Sequence, residues 1–185
     1  QDAAGGRVAR SRRQSGASVE PQLSAVTPPF VVLACGNPSR GDDALGPLLL
    51  ARLADWLQAG PMAERFELLE DFQLQIEHAL DLQGRQAVLF IDAGVGMTQA
   101  YTLTAVGADD TPGHSTHAIS PGAVLAVYRR IVGCDPPPAS VLCVQGEAFE
   151  LGAGLSPRAV ENSEKAWLSL QQWCLERSAA TMSVI

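Results

Sequence analysis

From residue 30 onward, short apolar runs alternate with stretches whose apolar residues recur every three or four positions. The runs at 30–35, 66–70, 87–92, 100–106 and 140–145 read as strands. Ala87, Val88, Leu89, Phe90 and Ile91 are apolar without interruption, the pattern of a strand covered on both faces. Leu45, Leu48, Leu49, Leu53, Trp56 and Leu57 keep helical spacing and predict a first helix over about 43–58. A shorter helix fits 73–82, with Leu74, Ala79, Leu80 and Leu82 as its inward positions. Ser120-Pro121 and Ser156-Pro157 each set a capping Ser before a Pro at the first helical position, where the missing N–H costs nothing. Val124, Val127, Tyr128 and Ile131 follow the first, and Val160, Trp167, Leu170, Trp173 and Cys174 the second. Gly133 stops the earlier helix, and Asp135 with three prolines turns the chain. Strand alternating with helix, without an internal repeat or linker, predicts an α/β sheet covered on both faces. Phe90 and the tryptophans read as core.

Composition adds boundaries. The 185 residues suit one domain, and no run approaches the ~20 apolar residues of a membrane span. Residues 1–28 carry Arg7, Arg10, Arg12 and Arg13 against Asp2 and Glu20, with much Gly, Ser and Ala. That segment is net +2 (four minus two), which leaves −9 on the remainder of a chain whose total is −7. A disordered basic leader is expected at 1–28, a single domain at 29–178 and a flexible tail at 179–185. Arg12-Arg13 precedes no apolar segment, so no secretory or twin-arginine signal is read there. The acidic body opposes nucleic-acid binding. Cys35, Cys134, Cys143 and Cys174 show no C-x-x-C spacing and fit reduced thiols in a cytoplasmic protein rather than a zinc site.

The candidate chemistry lies where strands end. The run 30–35 leads into Gly36, Asn37, Pro38, Ser39, Arg40, Gly41, Asp42, Asp43, Ala44, Leu45 and Gly46. In an open α/β sheet, ligands bind beyond the carboxyl ends of the strands. This turn is acidic, so it suits a metal cation or cationic group better than a phosphate. Asp43 also fits the first turn of a helix, where the dipole favours a carboxylate, and Asp42 fits a cap or turn former. Gly36, Asn37, Asp42 and Gly46 are the supporting positions of the loop. Asp92 ends the most apolar strand and reads equally as a turn-forming Asp or as a ligand above the sheet. His117, in the loop 111–119 with His114, is either a solvated loop residue or a neutral imidazole ligand suited to nickel or zinc. Two carboxylates and one imidazole from three loops at one sheet edge would make a partial metal shell with open positions. His78, beside Glu77, reads as a surface or supporting residue. G-x-S-x-G, H-E-x-x-H and Walker patterns are absent, Ser39 reads as a turn residue, and no familiar nucleophile presents itself.

Taken together, these segments resemble the hydrogenase maturation endopeptidases, which trim the large subunit of nickel–iron hydrogenases. The resemblance covers about residues 30–176. It rests on the G-N-x-x-x-x-D-D-x-x-G turn at 36–46, the strand ending in Asp92, the stretch 117–126, and Gly152-Ala153-Gly154-Leu155-Ser156-Pro157. Gln73-Leu74-Gln75-Ile76-Glu77-His78-Ala79 is most similar to the branch serving cytoplasmic NAD-reducing hydrogenases. The resemblance implies a three-layer α/β/α sandwich with a mixed, mostly parallel sheet of five or six strands. It implies that Asp43, at the family's Asp-or-Glu position, Asp92 and His117 hold nickel. The nickel is carried by the hydrogenase large-subunit precursor, whose C-terminal extension the peptidase removes; no general base is assigned, and neither a membrane nor a nucleic acid is an expected partner. Pro38 and Ala44 depart from the common pattern without removing a ligand. Two other readings stay open. One is a non-catalytic nickel-binding or chaperone module on the same ligands. The other is a peptidyl-tRNA hydrolase-like enzyme, which shares a Gly-Asn-Pro turn but expects a Tyr and a His-Asn pair where Arg40-Gly41-Asp42-Asp43 stands.

Overall fold

Alternation along β1 (Phe30–Cys35) divides the interior in two: Phe30, Val32 and Ala34 enter one core, while Val31, Leu33 and Cys35 enter the other. The computed structural model describes residues 27–109 and 119–182. Its five-stranded sheet has the order β2 (Phe66–Asp71), β1, β3 (Ala87–Gly94), β5 (Ala139–Gln145) and β4 (Tyr101–Val106). The first four strands are mutually parallel and β4 runs antiparallel to β5. The first core packs beneath α1 (Leu45–Gln58) and α3 (Pro157–Met182), through Leu49, Leu53, Ala166, Leu170 and Trp173. The second packs beneath α2 (Pro121–Val132) and a 3-10 helix at Ile76–Leu82, through Val124, Leu125, Tyr128, Ala79 and Leu82. The result is the expected three-layer α/β/α sandwich with a mixed, mostly parallel sheet. Among the described residues no helix is long and apolar enough to cross a membrane.

Both Ser-Pro starts form as the sequence predicts. Ser120 Oγ accepts the Ala123 N–H and Ser156 Oγ accepts the Ala159 N–H, each satisfying a free donor of the first turn. Gly133 closes α2 in the left-handed conformation at φ 78°.

Several local expectations change. The segment expected as a helix over 73–82 is a 3-10 helix over Ile76–Leu82. Its three-residue period brings Ala79 and Leu82 onto the sheet and turns Leu80 outward, against the inward position expected for it. Leu48, Ile131 and Val160 also face solvent, at the margins of their helices' apolar stripes. The first helix begins as a 3-10 turn at Gly41–Ala44 before α1 proper. At the other end, α3 runs to Met182, four residues into the segment expected as a tail from 179. Residues 1–26, most of the expected leader, lie outside the described residues. Pro28 belongs to the fold, because its carbonyl accepts a hydrogen bond from Arg85 Nη1 at 2.7 Å.

Candidate functional site

Strand register sets the floor of the site. Cys35 pairs with Asp71 across β1 and β2, and Asp92 pairs with Cys143 across β3 and β5. Ala34 pairs with Ile91, so Asp92 stands next to Cys35 in the following row. In-register neighbours share a face. The row Asp71, Cys35, Asp92 and Cys143 therefore lies along the carboxyl edge on the α2 side of the sheet.

The turn after β1 delivers a further carboxylate to that edge. Gly36 leaves the strand at φ 141°, and a Cβ on it would lie 2.0 Å from the Asp43 carbonyl oxygen. Gly46 lets α1 approach the sheet, since a Cβ there would lie 2.3 Å from the Cys35 carbonyl oxygen. Asp43 is half-buried, and its Oδ2 accepts the Asn37 N–H at 2.9 Å. Asn37 Oδ1 in turn accepts the Ser39 N–H at 2.9 Å, so the loop is braced from within. Asp92, expected to end its strand, is open to solvent within β3, which continues through Ala93 and Gly94, and its Oδ1 accepts the Ala93 N–H at 2.8 Å. The two readings of Asp92 thus coexist: one oxygen makes the turn bond while the group stands on the edge.

Electrostatics ties these residues together. Although Asp92 keeps a solvent-facing side, partial desolvation pushes its carboxyl up to about 6, against a bond from the Ala93 N–H that lowers it and with the Asp43 charge adding to the rise. Burial pushes the Cys35 thiol up to about 12, with Asp92, Asp71 and Asp43 all contributing repulsion. The Cys143 thiol is raised by burial and by Asp92. Asp43, Asp71 and Asp92 therefore share one field over a protonated thiol floor. A cation between carboxylates relieves their mutual repulsion, and carboxylates with an imidazole suit a divalent transition metal. Asp43 and Asp92 are brought together. His117 falls at 110–118, outside the described residues, as does His114. Among the described residues no group of three or more His, Cys, Asp or Glu side chains is arranged to hold a metal.

Two residues gain roles that their sequence context did not reveal. Asp71 ends β2, whose sequence already carries Glu67 and Glu70, so nothing in its context singled it out. Its Oδ1 accepts the Phe72 N–H at 2.6 Å, and Oδ2 lies 3.4 Å from His78 Nε2. His78 Nδ1 accepts the Gln75 N–H at 2.9 Å, which leaves Nε2 to carry the hydrogen toward Asp71. His78 is thus a supporting residue of the edge rather than a surface one. Asp42 caps no helix of its own, contrary to the local role expected for it. Its side chain is fully buried and reaches across to the loop between β5 and α3.

No protein-family model matches the sequence, and no curated protein matches it at a significant level. Solved structures do match. The chain is similar to hydrogenase maturating endopeptidase HybD from Escherichia coli, with 22% identity, 80% of this chain and 93% of that chain covered, and a TM-score of 0.62. An endopeptidase from Escherichia coli determined in solution has the same identity and coverage, with a TM-score of 0.60. A [NiFe] hydrogenase maturation protease, HycI from Thermococcus kodakarensis KOD1, again shares 22% identity over 80% of this chain and 93% of its own, with a TM-score of 0.56. At such identities these likenesses establish a shared fold.

Proposed function

We propose that this chain is an endopeptidase of nickel–iron hydrogenase maturation, which removes the C-terminal extension of a nickel-loaded large-subunit precursor. The observation that carries the reading is the meeting of Asp43 and Asp92 at the carboxyl edge of a sheet whose fold matches named maturation proteases. In this reading Asp43, Asp92 and His117 dock on nickel that the precursor already carries, leaving its remaining positions to the precursor's own thiolates. Soft thiolates and imidazole favour nickel, whereas carboxylates alone would favour magnesium or calcium. Shared coordination makes the metal a checkpoint: without it, the scissile segment has no anchor over the crevice. The gain from docking is positional, holding one peptide bond where a water can attack it.

A cleavage assay tests the reading. Purified protein is mixed with nickel-loaded and nickel-free precursor, and the mass of the large subunit is followed. Cleavage of the loaded form alone is expected. Asp43→Ala, Asp92→Ala and His117→Ala should each lower that cleavage by about 100-fold or more. Circular dichroism should stay unchanged in the two Asp variants, because neither side chain belongs to the packed core, so its loss opens no cavity there. Equal cleavage of both precursor forms would reject metal-gated docking. Tight binding of the loaded precursor without any cleavage would favour the non-catalytic nickel-binding module.

A further inference from the structure

The buried carboxylate of Asp42 is the most heavily hydrogen-bonded side chain at the site, yet it points away from the crevice. Its Oδ2 accepts the Glu147 N–H at 2.7 Å, the Ala148 N–H at 3.0 Å and the Ser156 hydroxyl at 2.8 Å. Its Oδ1 accepts the Ser156 N–H at 2.7 Å. Burial alone would raise this carboxyl, but the donors outweigh it and hold the group below the usual range, ionised at neutral pH. Backbone bonds run alongside: the Asp42 N–H to the Ala148 carbonyl at 2.7 Å, the Gly41 N–H to the Ala153 carbonyl at 3.2 Å, and the Gly152 N–H to the Ser39 carbonyl at 2.7 Å. The turn after β1 and the loop before α3, more than 100 residues apart in sequence, are thereby closed onto each other.

We propose that Asp42 is a positioning residue: its grip on the 147–156 loop holds the adjacent Asp43 carboxylate in its docking orientation. The covalent path between the two side chains is one peptide unit within the Gly41–Ala44 turn, so rotation that frees one swings the other. Asp43 is fixed on its far side by the Asn37 N–H, and its own N–H donates to the Arg40 carbonyl at 3.1 Å. Those local bonds close the loop upon itself but do not tie it to the rest of the molecule. The backbone bonds from Gly41, Asp42 and Gly152 and the bond from Arg40 Nε to the Phe149 carbonyl cross to the neighbouring loop, and the Asp42 side chain adds four more, two of them to Ser156, the N-cap of α3. Gln145 plays a matching part for the loop that follows β3, the strand that carries Asp92. Its Oε1 accepts the Met97 N–H at 2.6 Å, while its carbonyl accepts from Asn162 Nδ2 at 2.9 Å. The segment from Gln145 to Ser156 thus braces the turn that carries Asp43 and the loop after β3 against α3. The docking consequence rests on the proposed function above; the positioning itself does not.

Asp42→Asn is the informative variant, because its amide keeps the shape but must set an N–H donor against a donor of the loop. The first measurement needs no substrate: amide hydrogen exchange at Asn37, whose N–H is held by Asp43 Oδ2. Exchange there should rise by about tenfold or more in folded Asp42→Asn while β3 amides stay unchanged. The second is a double-mutant cycle on the Kd for nickel-loaded precursor. Asp42→Asn should weaken docking about tenfold or more in the parent, and less than about twofold when Asp43 is already Ala, since it acts through Asp43. Unchanged Asn37 protection, or equal loss of docking in both backgrounds, would overturn the proposal. Should Asp42→Asn fail to fold, Ser156→Ala removes one donor of the same grip and is read by the same exchange measurement. Wild-type protein that neither docks on nor cuts the precursor would count against the proposed function, and the Asn37 exchange would still decide the role of Asp42.

Discussion

At the residue scale, two aspartates, Asp42 and Asp92, are put to opposite uses by their surroundings. Asp42 is charged, fully buried and saturated with donors, so its charge stabilises the structure that holds it. Asp92 is under-supplied, with one N–H on its carboxylate and the Asp43 charge nearby, so its ionisation works against the fold. The folded-state value of about 6 stands above the ordinary 3.8, so the folded protein binds this proton more tightly than the unfolded chain. Its stabilising share is therefore present below the unfolded value and is lost as pH rises through about 4 to 6. Asp92→Asn should raise Tm at pH 7.5 relative to wild type, and the difference should shrink toward zero at pH 4. Thermal melts of both proteins across that range check the sign. A variant more stable but inactive is the expected signature of a residue kept for docking rather than for the fold.

At the element scale, the approach of α1 to the sheet depends on Gly46. The helix start stacks on the ends of β1 and β3, with the Cys35 and Ile91 carbonyl oxygens 2.3 Å and 3.2 Å from where a Cβ would stand. Gly46→Ala forces α1 outward, a close-packed overfilling that costs about 1–3 kcal/mol. A fall of several degrees in Tm is expected, with cleavage lost as well because Asp43 rides on the turn that leads into the helix. A melting curve unchanged from wild type would show that the helix slides to absorb the methyl. Strand ends are legible as candidate positions because an acidic residue closing an apolar run has no reason to be there from packing alone. Asp92, directly after the apolar run 87–91, shows it, whereas Asp71 follows Glu67 and Glu70 and does not. The 3-10 helix at Ile76–Leu82 is not legible, since its apolar spacing fits an α-helix equally and its packing against α2 is a tertiary contact.

At the scale of the whole molecule, one buried arginine ties the beginning of the described chain to the sheet. Arg85 donates from Nη1 to the Pro28 carbonyl at 2.7 Å and from Nε to the Asp81 carbonyl at 2.9 Å, and it pairs through Nη2 with Glu67 of β2. Its side chain is 7% exposed against 40% for Glu67, so the carbonyl bonds matter more than the ion pair. Arg85→Ala should cost about 2 kcal/mol, from carbonyls left unpaired, whereas Glu67→Gln should cost well under half of that. Urea unfolding of the two variants gives the comparison.

The sequence by itself determined the strands, the capped helices, the two-faced core and the candidate roles of Asp43 and Asp92, because period, caps and charge at strand ends are local properties. What only the tertiary structure decided is which residues meet: that β4 turns back antiparallel on β5, that Asp71 and His78 join the edge, and that Asp42 serves the loop before α3 rather than its own turn. A hydrogen bond spanning more than a hundred residues leaves no spacing to read. Its partners are backbone N–H groups, which every non-proline residue carries alike, so only the fold selects which of them reach a given carboxylate.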